Sequence, residues 1–476
     1  MNTDASVPSA EPRRRARRLL RVGVVLVSLV VLFYIEENWR GNRAWQQVKS
    51  DLEARGEPLT MEQWLPPVPE EENFFAAPVV REKFGNTEPA WFRFKDGGHL
   101  GNALAAAFEE EKKSNLPACL KWLREHATWP LTAPTGRTGA DILAVLAPAE
   151  PGLAALRDAT LRPRAQLLLS QIGNEQFGEA ARFFVTTARL YQLRIMAFLE
   201  DGRVPEAFKE CLQALRFARH LSGRPVNMMA FLVSCAVRNA ALTGLRDRVE
   251  KVPWNAVQLQ SLEKELTALQ SPIRFEDVLR GERVWALNWL STMPEDIRYV
   301  TKEGAIPAPW GTKFYPSGWR QKWMASMSDG AQQKIDGITK NGLRAEIGRK
   351  VDAGWFPPQP FETIADQFQV YDTVMKRALT GDADVLIARV ILASSRWRLE
   401  KGMWPETLSV LKEYFPAGIP DDPVTGQPLH CAPSANGGFT VRSTGFDVTD
   451  PKDDIEWQIA PPVPAVPKTP QGTTGG

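Results

Sequence analysis

The stretch from Phe177 to Ala218 reads FGEAARFFVTTARLYQLRIMAFLEDGRVPEAFKECLQALRFA, and it decides the fold class. Phe177, Ala181, Phe184, Ala188, Tyr191, Ile195 and Phe198 alternate at helical spacing. Such a pattern lines one face of a helix with apolar side chains, a seam that needs a partner helix. Asp201-Gly202 ends that helix, since glycine accepts the left-handed conformation common just past a helix C-terminus. Pro205-Glu206 opens the next at its first turn, and Phe208, Cys211, Leu212, Leu215 and Ala218 form its stripe. Two helices joined by so short a turn run antiparallel.

The pattern extends outward in both directions. Ser222-Gly223-Arg224-Pro225 is a break, after which Met228 to Val249 reads as a third helix through Phe231, Cys235, Leu242 and Leu245. Val257 to Leu269 reads as a fourth, with Leu259, Leu262, Leu266 and Leu269 on one side. Upstream, helical patterns cover Leu100 to Glu125 and Ala140 to Leu146, with a turn at Trp129-Pro130 and stops at Pro148 and Pro151. Residues 79–271 are therefore predicted as an array of antiparallel helical hairpins. The turn within Ala197 to Ala207 resembles that of a tetratricopeptide-type hairpin, but no second copy recurs at that family's period of about 34 residues. Simple helix packing is the reading retained.

At the start, Arg13, Arg14, Arg15, Arg17, Arg18 and Arg21 run into Val22 to Ile35, which carries no charge, and Glu36 and Glu37 follow. With Leu19, Leu20 and a snorkelling Arg21 the helix reaches about 26 Å, enough for a ~30 Å hydrocarbon core with slight thinning. A cleaved signal peptide needs small residues at its cleavage site, and Phe33-Tyr34-Ile35-Glu36-Glu37 has none. Residues 19–35 are read as an uncleaved transmembrane anchor and residues 1–18 as its arginine-rich cytoplasmic tail. This predicts a single-pass protein of a bacterial inner membrane with a periplasmic body. Residues 36–78 continue as a helical stalk carrying Trp45, Val48 and Leu52, ended by Gly56, and then a linker around Leu65-Pro66-Pro67-Val68-Pro69. Trp39 and Trp45 fall where indoles sit among lipid headgroups.

A chain of 476 residues has room for two or three domains with real cores. The formal charge of +2 rests on the six N-terminal arginines, and the remainder is slightly acidic, so nucleic-acid binding has no electrostatic support. Cys119, Cys211, Cys235 and Cys431 show no metal-ligand spacing. Cys211 and Cys235 are equidistant from Gly223 and stand at one height of a hairpin. A disulfide needs their Cα atoms within about 7 Å, closer than most helix axes approach, so buried thiols are expected and the bond stays the alternative.

Between residues 272 and 360 the texture changes to Trp285, Trp289, Trp310, Trp319, Trp323 and Trp355 among frequent Pro and Gly. Arg280-Gly-Glu-Arg283 places a compact charged group at the Trp285/Trp289 helix. Two readings are open. The indoles clamp irregular segments onto the helical body, or Trp310, Trp319 and Trp323 stack on the sugars of an envelope glycan.

Residues 361–459 read as helices Phe361 to Leu379 and Ala383 to Lys401, a short helix from Trp404-Pro405, and a small antiparallel sheet. Its strands are Leu429 to Ala432, Phe439 to Ser443 and Asp454 to Ile459, the first two joined across Asn436-Gly437-Gly438. The Pro-rich tail, residues 460–476, lacks the composition for a core. The fold class expected is thus mainly α, with an N-terminal transmembrane helix, a hairpin array and a small C-terminal α+β module.

Gly402-Met-Trp404-Pro405-Glu406, Asp422-Pro423-Val-Thr-Gly426-Gln-Pro, Ser443-Thr-Gly445-Phe-Asp447 and Asp453-Asp454-Ile455 follow one another in an order that resembles the C-terminal part of type II secretion major pseudopilins. The resemblance implies calcium in the loop from Ser443 to Asp454, with Asp447, Asp450, Asp453 and Asp454 as donors suited to a hard cation. A pseudopilin leads from a prepilin-peptidase site through one long helix directly into this module. Here most of the chain intervenes, so pilus assembly is not implied, and a solvated acidic turn capping the sheet is the alternative. The wider arrangement of Asn38-Trp39-Arg40-Gly41, Arg280-Gly-Glu-Arg283 and Gly402-Met-Trp-Pro resembles families of membrane-anchored proteins from planctomycete and verrucomicrobial bacteria. That likeness implies localisation and brings no catalytic residues.

No Gly-x-Ser-x-Gly elbow, His-Glu-x-x-His pair, phosphate-binding glycine loop or dinucleotide fingerprint occurs, and His99, His126, His220 and His430 are far apart. The expected function is a non-enzymatic envelope scaffold or interaction protein, with the membrane and an envelope protein or peptidoglycan as partners. The alternative is a glycan-active enzyme or glycan-binding protein built on the Trp-rich segment.

Overall fold

Helix α1 (Glu11–Ala54) runs without a break from the arginine cluster through the apolar segment into the stalk. Nothing in 19–35 interrupts the backbone ladder, and the stalk's Trp45, Val48 and Leu52 keep the same period. The helix ends where Gly56 takes a φ of 70°. Leu19 to Phe33, Gly23 apart, stay exposed, whereas Leu52 is buried. The N-terminal part of α1 is long and apolar enough to cross a membrane. Two later helical stretches, Thr138–Ala159 and Met228–Arg246, are also apolar enough, but half of each is packed inside the fold.

This computed structural model describes residues 11–84, 115–171, 174–249, 252, 254–270, 274–292, 298–301, 304–307, 315–351, 367–434, 437–447 and 449–459. The expectations for residues 100–114, for Trp310 and Trp355, and for the tail 460–476 lie outside these. After α1 come α2 (Met61–Trp64), α3 (Pro78–Arg81), α4 (Leu116–His126), α5 (Thr138–Leu146), α6 (Glu150–Ala159) and α7 (Asn174–Glu200). Helices α8 (Val204–Leu221), α9 (Met228–Val249), α10 (Ala256–Gln270) and α11 (Phe275–Thr292) follow. A hairpin of β1 (Arg298–Thr301) and β2 (Gly304–Pro307) precedes α12 (Ser317–Asn341) and α13 (Gln367–Lys401). The chain closes on β3 (His430–Pro433), β4 (Phe439–Ser443) and β5 (Ile455–Ile459). Two compact units emerge, each assembled from separate stretches. One comprises Met1–Trp64, Arg283–Asp336 and Gly348–Tyr371, the other Leu65–Glu282, Gly337–Ile347 and Asp372–Gly476.

In the larger unit, α7, α8 and α9 pack on one another, with α5 against α7 and α10 against α8. The seam on α7 is the one its spacing predicts: Phe184, Ala188, Tyr191 and Ile195 are all buried. Full burial of one such aliphatic or aromatic side chain stabilises by about 1.5–3 kcal/mol. Gly202 has φ 74°, and the Arg203 amide donates to the Phe198 carbonyl at 2.8 Å, closing the α7–α8 turn. Cys211 is buried and Cys235 half-buried, and each is a thiol.

The sequence reading divides α13 into two helices at Leu379 and Ala383, and the structure corrects this: the helix is continuous. Gly381 is not a breaker. A Cβ there would collide with the Arg238 guanidinium, which instead donates to Asp382 Oδ1 at 2.8 Å. Beyond it, Val385 to Ala388 are all buried. Two residues after Asp382, Asp384 Oδ1 accepts from Trp457 Nε1 at 2.7 Å and fastens β5 to the helix.

The C-terminal sheet has the order β3-β4-β5, antiparallel throughout, with Pro433 opposite Phe439 and Phe439 opposite Ile459. Asp422 organises the turn before it. Its carboxylate accepts from Val424 N, Thr425 Oγ1 and, across to β4, Ser443 Oγ at 2.7 Å. The β1–β2 hairpin is a second sheet where the sequence reading commits to one.

Candidate functional site

The most elaborate polar arrangement in the smaller unit is the junction between α1 and α12, just past the apolar segment. Gly41 faces Gly318 backbone to backbone, and a Cβ on either would collide with the other helix's main chain. Glycine costs a helix roughly 1 kcal/mol relative to alanine. Here it permits a close crossing. Asn38 Oδ1 accepts from the Gly318 amide at 2.8 Å and from Ser317 Oγ at 3.1 Å. Amides in the first turn of a helix lack intrahelical acceptors, so Asn38 caps α12 from a different helix.

Glu37 completes this end. Its Oε2 accepts from Trp319 Nε1 and from Lys322 Nζ, each at 2.7 Å. Arg40 lies 3.4 Å from its other oxygen. Burial alone would raise the Glu37 carboxyl, but the hydrogen bonds from Lys322 and Trp319 and the nearby cations outweigh it and hold the pKa below the usual value.

The far end of the contact is a polar chain. Arg55 Nη1 donates to Asp336 Oδ2 at 2.8 Å, and Asp336 Oδ1 accepts from Gln332 Nε2 at 2.8 Å. Gln332 Oε1 accepts from Arg283 Nη1 at 2.7 Å, and Arg283 Nη2 donates to Glu57 Oε2 at 2.6 Å. The Arg283 side chain is fully buried. Contacts thus advance together along both chains, from Asn38 with Gly318 to Arg55 with Asp336, so the stalk and α12 run parallel. Asn38, Gly41 and Arg283 come from stretches that stand out in the sequence, but the residues they meet, Gly318 for the first two and Gln332 and Glu57 for the third, are too remote in sequence for any local pattern to show.

Of the three tryptophans expected to stack on sugar, Trp319 and Trp323 are among the described residues. Trp323 is 1% exposed and packs with Ala286, Leu290 and Met327, which corrects its reading as a glycan contact: a ring inside the core meets no ligand. Trp319 is half-buried, its N–H held by Glu37 and its ring against Tyr315 at 4.8 Å and edge-on to Phe33 at 6.4 Å. Trp310 lies outside the described residues.

The four aspartates expected to hold calcium point mainly at their own loop. Asp453 Oδ2 accepts from the amides of Phe446 and Asp447, Asp447 Oδ1 from Thr449 N and Oγ1, and Asp450 Oδ1 from Lys452 N. Asp454 lies 3.4 Å from Arg442. The hydrogen bonds from Thr449 hold the Asp447 carboxyl low. Among the described residues no group of three His, Cys, Asp or Glu is arranged to hold a metal ion.

Two other places in the larger unit have chemical interest. Arg194 bridges Glu210 at 2.8 Å and Glu150 at 2.9 Å inside the bundle, and Arg157 pairs with the same Glu150. Burial first, and then the Glu210 charge, push the neighbouring Tyr191 hydroxyl up, so it stays protonated. An apolar cleft lined by Phe75, Phe177, Phe184 and Phe231 has an interior of only ≈ 20 Å³, room for about one water. Among the described residues, neither place holds a nucleophile beside a base. Comparison with protein-family models, curated proteins and solved structures finds no match to this chain.

Proposed function

We propose that this chain is a single-pass, membrane-anchored scaffold or interaction protein of the bacterial envelope, with a cytoplasmic N-terminus and a periplasmic, non-enzymatic body. The observation that carries the reading is the junction of α1 with α12. The helix that bears the apolar segment enters the smaller unit without a hinge and is fixed there by Glu37, Asn38, Gly41 and Arg55. An anchor built to hold the smaller unit at a set attitude favours presenting surfaces to partners over releasing a mobile enzyme. The orientation rests on the arginine cluster before the apolar segment, which the positive-inside rule retains in the cytoplasm.

The test labels single cysteines at Arg14 and Asp329 with a membrane-impermeant maleimide in intact cells, and asks what co-purifies stoichiometrically from native membranes after cross-linking. Labelling at Asp329→Cys alone, with a defined envelope protein in fixed ratio, is the expected result. Labelling at Arg14→Cys alone reverses the topology. A monomer carrying no cross-linked partner sinks the scaffold.

A further inference from the structure

Past the apolar segment, one face of α1 turns from exposed to packed within about one helical turn. Val30, Val31, Leu32 and Phe33 are 47–59% exposed, whereas Glu37 is 7% exposed. Trp319 bridges that boundary, its ring edge-on to Phe33 and its N–H on Glu37. Phe33 lies about 3 Å inside the end of the apolar segment by helical rise. The Trp319 ring is therefore level with the rim of the hydrocarbon core, and the Tyr315 ring lies tilted against it at 4.8 Å. On the opposite face of α1, Trp39 is 59% exposed with the Arg43 guanidinium 5.4 Å above its ring. Arg320 adds a cation at the first turn of α12.

Indole and phenol rings with one apolar body and one polar edge partition to the headgroup layer, and cations beside them meet lipid phosphates. We propose that Tyr315, Trp319 and Trp39 form an aromatic collar seated in the phospholipid headgroup layer, so that the first turn of α12 rests on the bilayer. The occupant follows from continuity: the collar extends the exposed apolar surface of α1, the segment long and apolar enough to cross a membrane. This rests on reading residues 19–35 as the anchor. Because α12 runs parallel to the stalk, it leaves the membrane as it proceeds, and only its N-terminal turn is in reach.

The full chain in nanodiscs of phosphatidylcholine and phosphatidylglycerol tests this with nitroxides at Leu26→Cys, Gln321→Cys and Asp329→Cys, the native cysteines replaced by alanine. Accessibility to oxygen against a nickel chelate reports depth. The expected order is Leu26 buried in lipid, Gln321 at interfacial depth and Asp329, about 12 Å further along the helix, in water. Gln321 matching Asp329 overturns the collar while leaving the anchor standing. A water-like Leu26 overturns both. As a second measurement on the otherwise native chain, lipids brominated near the headgroup quench tryptophan emission, and Trp319→Phe is expected to lower the quenched fraction. Unchanged quenching also overturns the proposal.

Discussion

Gly41 and Gly318 meet backbone to backbone although most of the chain separates them in sequence. Neither position tolerates a Cβ without moving a main chain. We expect Gly41→Ala and Gly318→Ala each to lower stability by about 1–3 kcal/mol, the cost of overpacking a fitted contact. The double variant should cost less than the sum, because the helices are already apart after the first change. Unfolding midpoints in one detergent or nanodisc system check both statements.

Asn38 supplies an acceptor that α12 lacks. Asn38→Ala should cost about 1 kcal/mol and raise hydrogen exchange at the Gly318 amide, whereas Asn38→Asp keeps the acceptor and most of the protection. Equal exchange in wild type and Asn38→Ala would remove the cap from the account.

The Glu37 carboxyl has a lower pKa in the folded chain than the usual 4.5, because its hydrogen bonds and cations outweigh its burial. Its stabilisation is therefore complete above the unfolded value and lost as pH falls through the folded one. Thermal midpoints measured from pH 7 to pH 3 should drop at the acid end, and Glu37→Gln should flatten that part of the profile. The same slope in both proteins would assign the acid sensitivity elsewhere.

Arg283 has no route to water and serves Gln332, Glu57 and the Pro58 carbonyl at once. Arg283→Met should cost about 3–5 kcal/mol, since Glu57 and Gln332 lose a charged donor inside the fold. Arg283→Lys restores the charge but not the fork, and should recover only part of the loss. A measured cost under 1 kcal/mol for Arg283→Met would mean that water replaces the guanidinium.

In the C-terminal loop, Asp453→Ala strips the acceptor from two amides and should cost about 2 kcal/mol. With its carboxylates turned to the loop, calcium or a chelator should leave the unfolding midpoint unmoved. A chelator-induced drop would return the loop to ion binding.

Local periodicity carries most of the helices into view. The α7 seam, the Asp201-Gly202 stop and the β3–β4 hairpin are all legible because their causes lie within a few residues. The gap expected between Leu379 and Ala383 misleads for the opposite reason: Gly381 lies in it, and Arg238, on another helix, fills the space its Cβ would take. Trp323 is likewise ambiguous until its neighbours on α11 are known. The α1–α12 junction is the extreme case. A glycine inside a helix and an exposed-looking asparagine are visible in the sequence, but nothing local says what they face. The β1–β2 hairpin carries no strong turn dipeptide of the Asn-Gly type and gives no signal in the sequence.

The pairing of Asn38 and Gly41 with Gly318 also sets an order of events during synthesis. At about 5–20 residues per second, α12 leaves the ribosome roughly 15–50 s after the stalk that it must join. Through that interval Glu37 and Arg55 wait with no partner from α12, while the helices of the larger unit complete their local pairings first. The smaller unit thus cannot close until α12 has emerged, and a nascent chain truncated before Ser317 would leave the stalk open to proteases.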